Sequence, residues 1–198
     1  MSPLPISTYD LFANFLNKRI ESRQHLTEDS VRYAFFLAVL RTTSIEQHEL
    51  ILELPHPRFP GKEVDMYVAA AQGRKELFIE FKFHRMSKST SPKPQKAGSL
   101  FKDISRLASL MSEDRHCLVV YLTCSEMATY FEKNEASYSS FWKQPTGGVF
   151  AYDELFIAKT TDTFRKASSE YHGARVAVEF SEPLIHDYHV RVFDVREI

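Results

Sequence analysis

Apolar and polar residues alternate over two short runs in the first half of the chain. Residues 77–84 read Leu-Phe-Ile-Glu-Phe-Lys-Phe-His, so Leu77, Ile79, Phe81 and Phe83 take one side and Phe78, Glu80, Lys82 and His84 the other. A period of two predicts a strand with one dry face and one face bearing Glu80 and Lys82 side by side. Residues 63–69, Glu-Val-Asp-Met-Tyr-Val-Ala, predict the strand before it, and Gln72-Gly73-Arg74-Lys75 the turn that joins the two. Adjacent strands of this kind can bring Asp65, Glu80 and Lys82 to one point.

Helical spacing governs the residues upstream. Ile6, Tyr9, Phe12, Phe15 or Leu16, and Ile20 predict a helix over 6–22, with Ser7 or Thr8 as its cap. A second helix starts near Thr27, an N-cap followed by Glu28 and Asp29, which suit a positive helix start. It runs through Val31, Phe35, Ala38 and Val39 to about Thr42. A strand is predicted at about 48–54, and Pro55, Pro57, Pro60 and Gly61 mark the loop that leads to the acid-bearing pair.

Downstream, residues 85–97 read as a connection, with a helix from about Ser99 carrying Leu100, Ile104, Leu107 and Leu110 or Met111 on one side. An apolar strand from His116 to Thr123 and a helix from about Ser125 to Asn134 follow. Beyond these, Trp142 to Gly148 reads as a loop, 152–170 as partly helical, and Ala174–Phe180 and Tyr188–Val195 as two strands.

The chain has 198 residues, enough for a single domain; 43% are apolar, and 16 Phe and 9 Tyr supply a large core. No run approaches the ~20 apolar residues that cross a bilayer. No basic segment followed by an apolar one opens the chain, so a soluble, cytoplasmic protein without membrane contact is expected. Cys117 and Cys124 match no metal or redox spacing and read as reduced, largely buried thiols. The net charge of −1 argues against indiscriminate tight binding of nucleic acid, although a basic patch can be local. No Gly-rich phosphate loop and no GxSxG elbow is present, which argues against an NTPase or a serine hydrolase. The histidines, His186 and His189 included, have no zinc-ligand spacing.

Asp65, fourteen intervening residues and then Glu80-Phe81-Lys82 resemble the motif of the PD-(D/E)xK nuclease superfamily, with Val64 where the family has Pro. The predicted order, helix, three strands, helix, strand, is similar to that superfamily's α-β-β-β-α-β core. The resemblance covers roughly residues 25–135. It implies an α/β, restriction-endonuclease-like fold forming one domain over 1–198: a central mixed sheet flanked by helices, with an α/β extension over about 140–198. It also implies a Mg²⁺-dependent deoxyribonuclease, with Mn²⁺ as a substitute ion, DNA as partner, and a role in restriction, defence or repair. Many members are dimers; whether this chain is a homodimer stays open.

By that resemblance Asp65 and Glu80 hold the metal. Lys82 orients the attacking water, favours its deprotonation or neutralises charge on the phosphate. Glu28 matches an acid that many members carry on the first core helix; its other reading is a favourable helix-start charge. Glu63 is a helper ligand or a surface acid, and Glu49 and Glu53 are weaker candidates. The stretch from Phe81 to Lys102 contains no acid. Its Arg85, Lys88, Lys93, Lys96 and Lys102, with His84, read as DNA-backbone contacts or as a solvated loop. Gln95, Lys96 and Lys102 are alternatives for a polar helper on the following helix. A catalytically silent interaction module on the same fold is the second reading. A chance motif on an unrelated α/β domain is the third, and it expects Asp65 and Glu80 far apart.

Overall fold

The computed structural model describes residues 2–71, 73–85, 91–134, 138–169 and 171–198. It is an α/β protein: two N-terminal helices are followed by a seven-stranded mixed sheet with helices interspersed. Helices α1 (Ile6–Glu21) and α2 (Glu28–Thr42) come first. Strands β1 (Leu50–Pro55), β2 (Glu63–Val68) and β3 (Glu76–His84) form an antiparallel meander. Helix α3 (Lys93–Ala108) crosses to β4 (Arg115–Cys124), which is parallel to β3. Then come α4 (Ser125–Lys133), α5 (Ser139–Trp142), β5 (Val149–Tyr152), α6 (Glu154–Ala158), α7 (Asp162–Ala167), β6 (Ala174–Pro183) and β7 (Tyr188–Arg196). The sheet order is β1-β2-β3-β4-β7-β6-β5, so the C-terminal third extends the same sheet.

Strand β4 decides the layering. Leu118, Val120 and Leu122 point into a core closed by α1 and α2, whereas Cys117, Val119 and Tyr121 point into one closed by α3 to α7. With both faces covered, its side chains from Cys117 to Cys124 are buried. Both cysteines are free, and burial pushes the Cys117 thiol up to about 12. Phe101 on α3 is the hub of the second core, with ring contacts to Phe141, Phe150, Tyr152, Phe156 and Phe164. Phe101→Ala is expected to cost about 3–5 kcal/mol, read as a lower urea midpoint at unchanged slope.

The structure moves several boundaries and adds a strand. Helix α3 starts at Lys93, not near Ser99, because Pro94 falls in its first turn, where a missing N–H costs nothing. The first strand starts at Leu50, after a short 3₁₀ turn at Gln47–Glu49. Residues 149–152, of which 149–151 carry no predicted element and 152 falls in the partly helical stretch, form β5 by pairing with β6. Among the described residues, no helix is long and apolar enough to cross a membrane.

Candidate active site

The ladder between β2 and β3 is short. It pairs Val68 with Leu77, Tyr67 with Phe78 and Met66 with Ile79, and then stops. Continued by one step, it would set Asp65 opposite Glu80. Strand β2 rolls over at this point: Val64 packs into the core under α3, but Met66 packs into the opposite one. Across from Asp65, the β1–β2 register skips Glu53, which holds a left-handed φ of 56°. Such irregularities end strand pairing and re-aim side chains.

The edge of β3 freed in this way is closed by carboxylates. The Phe81 amide donates to Asp65 Oδ2 at 2.7 Å, and the Phe83 amide donates to Glu28 Oε2 at 3.0 Å. The two acids therefore bracket Lys82. Glu28 is placed by the start of α2, where Ser30 N donates to Thr27 Oγ1 at 3.1 Å and Thr27 N to Ser30 Oγ at 2.9 Å. Asp65 is also near enough to Glu80 to help raise its carboxyl. The chance-motif alternative required these two acids to lie far apart.

The face carrying Glu80 and Lys82 is not wet, because α3 lies over it. Glu80 is only 3% exposed. From α3, Asp103 Oδ2 sits 2.9 Å from Lys82 Nζ, and Arg106 donates to Glu80. Arg106 also reaches Asp103 Oδ1 at 3.6 Å and the Glu63 carbonyl at 3.1 Å. From α2, Arg32 donates to Asp65 Oδ1 at 3.0 Å and to Glu53 at 3.2 Å. The cluster is thus four carboxylates, Glu28, Asp65, Glu80 and Asp103, against three cations, Arg32, Lys82 and Arg106.

That excess of acid shapes the titrations. Burial, then Asp103 and Asp65, push Glu80 well above the usual carboxylate range, against the pull of Arg106. Burial likewise raises Asp103 and Glu28, although Lys82 opposes both shifts. Burial works to lower Lys82, but Asp103 and Glu28 overcome it and hold the ammonium above lysine's ordinary range. Lys82 is therefore a fixed positive charge rather than a base.

The other expected residues divide. His84 is buried; its Nδ1 shares a hydrogen bond with the Tyr121 hydroxyl at 2.9 Å, and its Nε2 one with Ser99 Oγ at 3.3 Å. Burial, then Lys82 and Lys96, push it down to about 3, so it is neutral at pH 7 and offers a phosphate no charge. Gln95 and Lys96 line a groove of about 400 Å³ together with Glu28 and Lys82. Arg85 is exposed beside it, with Nη1 3.3 Å from His25 Nε2. Lys102 lies on α3 next to Asp103, and among the described residues it joins no ion pair of the cluster. Lys93 pairs with Glu126 on α4 at 3.0 Å. Lys88 lies outside the described residues. Glu63 is exposed, and Glu49 pairs with Arg74 at 2.6 Å.

The fold depresses the His84 pKa, so the stability it contributes is present above about pH 6.5 and is lost as pH falls toward its folded value. Compared with wild type, His84→Gln is expected to remove up to about 1.4 kcal/mol of this loss per pH unit between about pH 6.5 and 5. Urea melts at three pH values measure it, and parallel curves for the two proteins would contradict it.

Asp103, Arg106 and Arg32 were missed from the sequence. Asp103 had a signal: it falls between Leu100, Ile104 and Leu107, on the stripe that should be apolar. In chemistry the donor set fits a hard divalent cation, being all carboxylate. In arrangement it is closed: Arg32 and Arg106 sit on Asp65 and Glu80, and among the described residues no three acids, histidines or cysteines are disposed to hold an ion. No protein-family model, no curated protein and no solved structure matches this chain.

Proposed function

We propose that this protein is a Mg²⁺-dependent deoxyribonuclease of the PD-(D/E)xK, restriction-endonuclease-like type. The observation that carries the proposal is the convergence of Asp65, Glu80, Lys82 and Glu28 where β2 and β3 part. The order α2-β1-β2-β3-α3-β4 supports it, since it matches the α-β-β-β-α-β core expected of that superfamily. The raised carboxyl of Glu28 lines a groove together with Lys82, an arrangement typical of functional sites.

The residues divide the work. Asp65 and Glu80 would hold Mg²⁺, or Mn²⁺ in its place, which on binding supplies Lewis acidity and an activated water. Lys82, kept charged by Asp103 and Glu28, neutralises charge that builds on the phosphate oxygens. Glu28 fixes the β3 edge through the Phe83 amide and so positions Lys82. Arg106 balances Glu80 and Asp103 while the metal is absent, and its guanidinium must leave Glu80 for an ion to enter.

One observation favours a second reading. Two arginines already occupy Asp65 and Glu80, as in a catalytically silent member that acts as a binding module. Thermal melting in millimolar Mg²⁺ or Mn²⁺ separates the readings. The nuclease reading expects the melting temperature of wild type to rise with metal and that of Asp65→Asn to rise much less. No rise in wild type would leave only the silent module.

A further inference from the structure

We propose that the groove beside the C-terminal end of β3 binds an unpaired nucleotide, so that the strand presented to the site is single-stranded nucleic acid. The consequence for cleavage rests on the nuclease reading; the chemistry of the groove does not.

The groove measures about 430 Å³, within the range of ligand sites. It shares Phe83 and Arg85 with the neighbouring groove that holds Glu28, Lys82 and Lys96, so the two are continuous. Its floor combines the buried Ile20 and Leu26 with two half-buried rings, Phe83 and Tyr188, which lie 6.2 Å apart, centroid to centroid. Its rim is Arg23, His25, Arg85 and His186, all exposed, and among the described residues no acid lines it. Two arginines and two imidazoles around ring faces suit a nucleotide, the rim meeting phosphate and the floor meeting the base.

Two turns form the walls. Arg23, with a φ of 52°, is the left-handed residue that ends α1, its amide donating to the Ile20 carbonyl and that of Gln24 to the Arg19 carbonyl. His186 and Asp187, with φ of 52° and 59°, lie in the turn between β6 and β7. The two turns are braced to each other's neighbourhood, since the Ile185 amide donates to Asn17 Oδ1 on α1 at 3.1 Å.

The ring floor selects the substrate class. In a duplex the base faces are stacked on each other, and only the edges and backbone reach a protein. A recessed aromatic pair is usable only by a base already out of the stack. Phe83 lies on the opposite face of β3 from Lys82, so a strand seated here would reach the proposed centre by passing Arg85 into the adjoining groove that Lys82 lines.

The test is fluorescence anisotropy of the whole chain with labelled oligonucleotides of about 12 nucleotides, as DNA strand, RNA strand and DNA duplex, in EDTA. Wild type is expected to bind one of the single strands at least about tenfold more tightly than duplex; which one identifies the sugar. Reversing the exposed pair, Arg23→Glu with Arg85→Glu, is expected to weaken that binding about tenfold or more and to flatten its salt dependence. Tyr188→Leu is expected to weaken it about tenfold, and Tyr188→Phe to preserve it. Melting curves accompany each variant, and the surface arginine pair keeps the test decisive if Tyr188→Leu does not fold. Equal binding of duplex, absence of single-strand binding, or binding that survives the charge reversal or, in a folded variant, the loss of the ring overturns the proposal. Because EDTA removes metal, a protein that binds single strands without ever cutting keeps this inference and loses the nuclease. One that cuts without preferring single strands loses only this inference.

Discussion

Glu80→Gln is expected to abolish metal-dependent cleavage while making the metal-free protein more stable. The activity loss follows from removing one of the two proposed oxygen ligands, and a rate decrease of about a thousandfold or more is expected. The gain in stability follows from burial. Glu80 is surrounded by protein, faces Asp103 and Asp65, and is compensated only in part by Arg106. Its folded pKa is raised, so its contribution is fully present below the unfolded value and is lost as pH rises through the folded one. Glutamine keeps the shape without that cost. A gain on the order of 1 kcal/mol, roughly 2–4 °C in melting temperature for a chain of this size, is expected in EDTA. It should grow from pH 5 to pH 9. A residue retained against the stability of the fold is one kept for chemistry. A variant that is both inactive and unstable at every pH would make Glu80 structural instead.

Arg106→Gln is expected to have the opposite pattern. The side chain is 14% exposed and sits on Glu80 and Asp103, both nearly buried. Removing one partner of a buried ion pair leaves uncompensated charge, at about 3–5 kcal/mol. The loss should be smallest at low pH, where Glu80 and Asp103 are protonated, and should deepen as both ionise. Millimolar Mg²⁺ should return more stability to this variant than to wild type, because the ion no longer competes with the guanidinium. Equal metal responses in the two proteins would mean that Arg106 does not guard an ion site.

The sequence made the acid-bearing strands readable because alternation and spacing are local properties. Asp65, Glu80 and Lys82 were located by a period of two, and Glu28 by its place after the Thr27 cap. The cover over the Glu80 face was not legible for a physical reason. Alternation says which residues share a face, whereas the helix that covers it lies far along the chain. Asp103 and Arg106 arrive from there, and so do Tyr121 and Ser99, which make a buried neutral group of His84. Only Asp103 betrayed itself, as a charge on an apolar stripe. The start of α3 was hidden by Pro94, which reads as a break but is tolerated in a first helical turn. Strand β5 has four residues, too few for a period, and exists because β6 pairs with it.

The proposed nuclease hydrolyses phosphodiesters with a divalent metal at the parting of β2 and β3. Cleavage of linear single-stranded DNA and of supercoiled plasmid, in Mg²⁺, Mn²⁺ or EDTA, tests it most directly when wild type is run beside Glu80→Gln and Lys82→Ala. The account predicts cutting by wild type in Mg²⁺ or Mn²⁺, none in EDTA, and at most about a thousandth of that rate in either variant. Cutting that survives both substitutions, or a wild type that binds metal and DNA but cuts neither substrate, would contradict it.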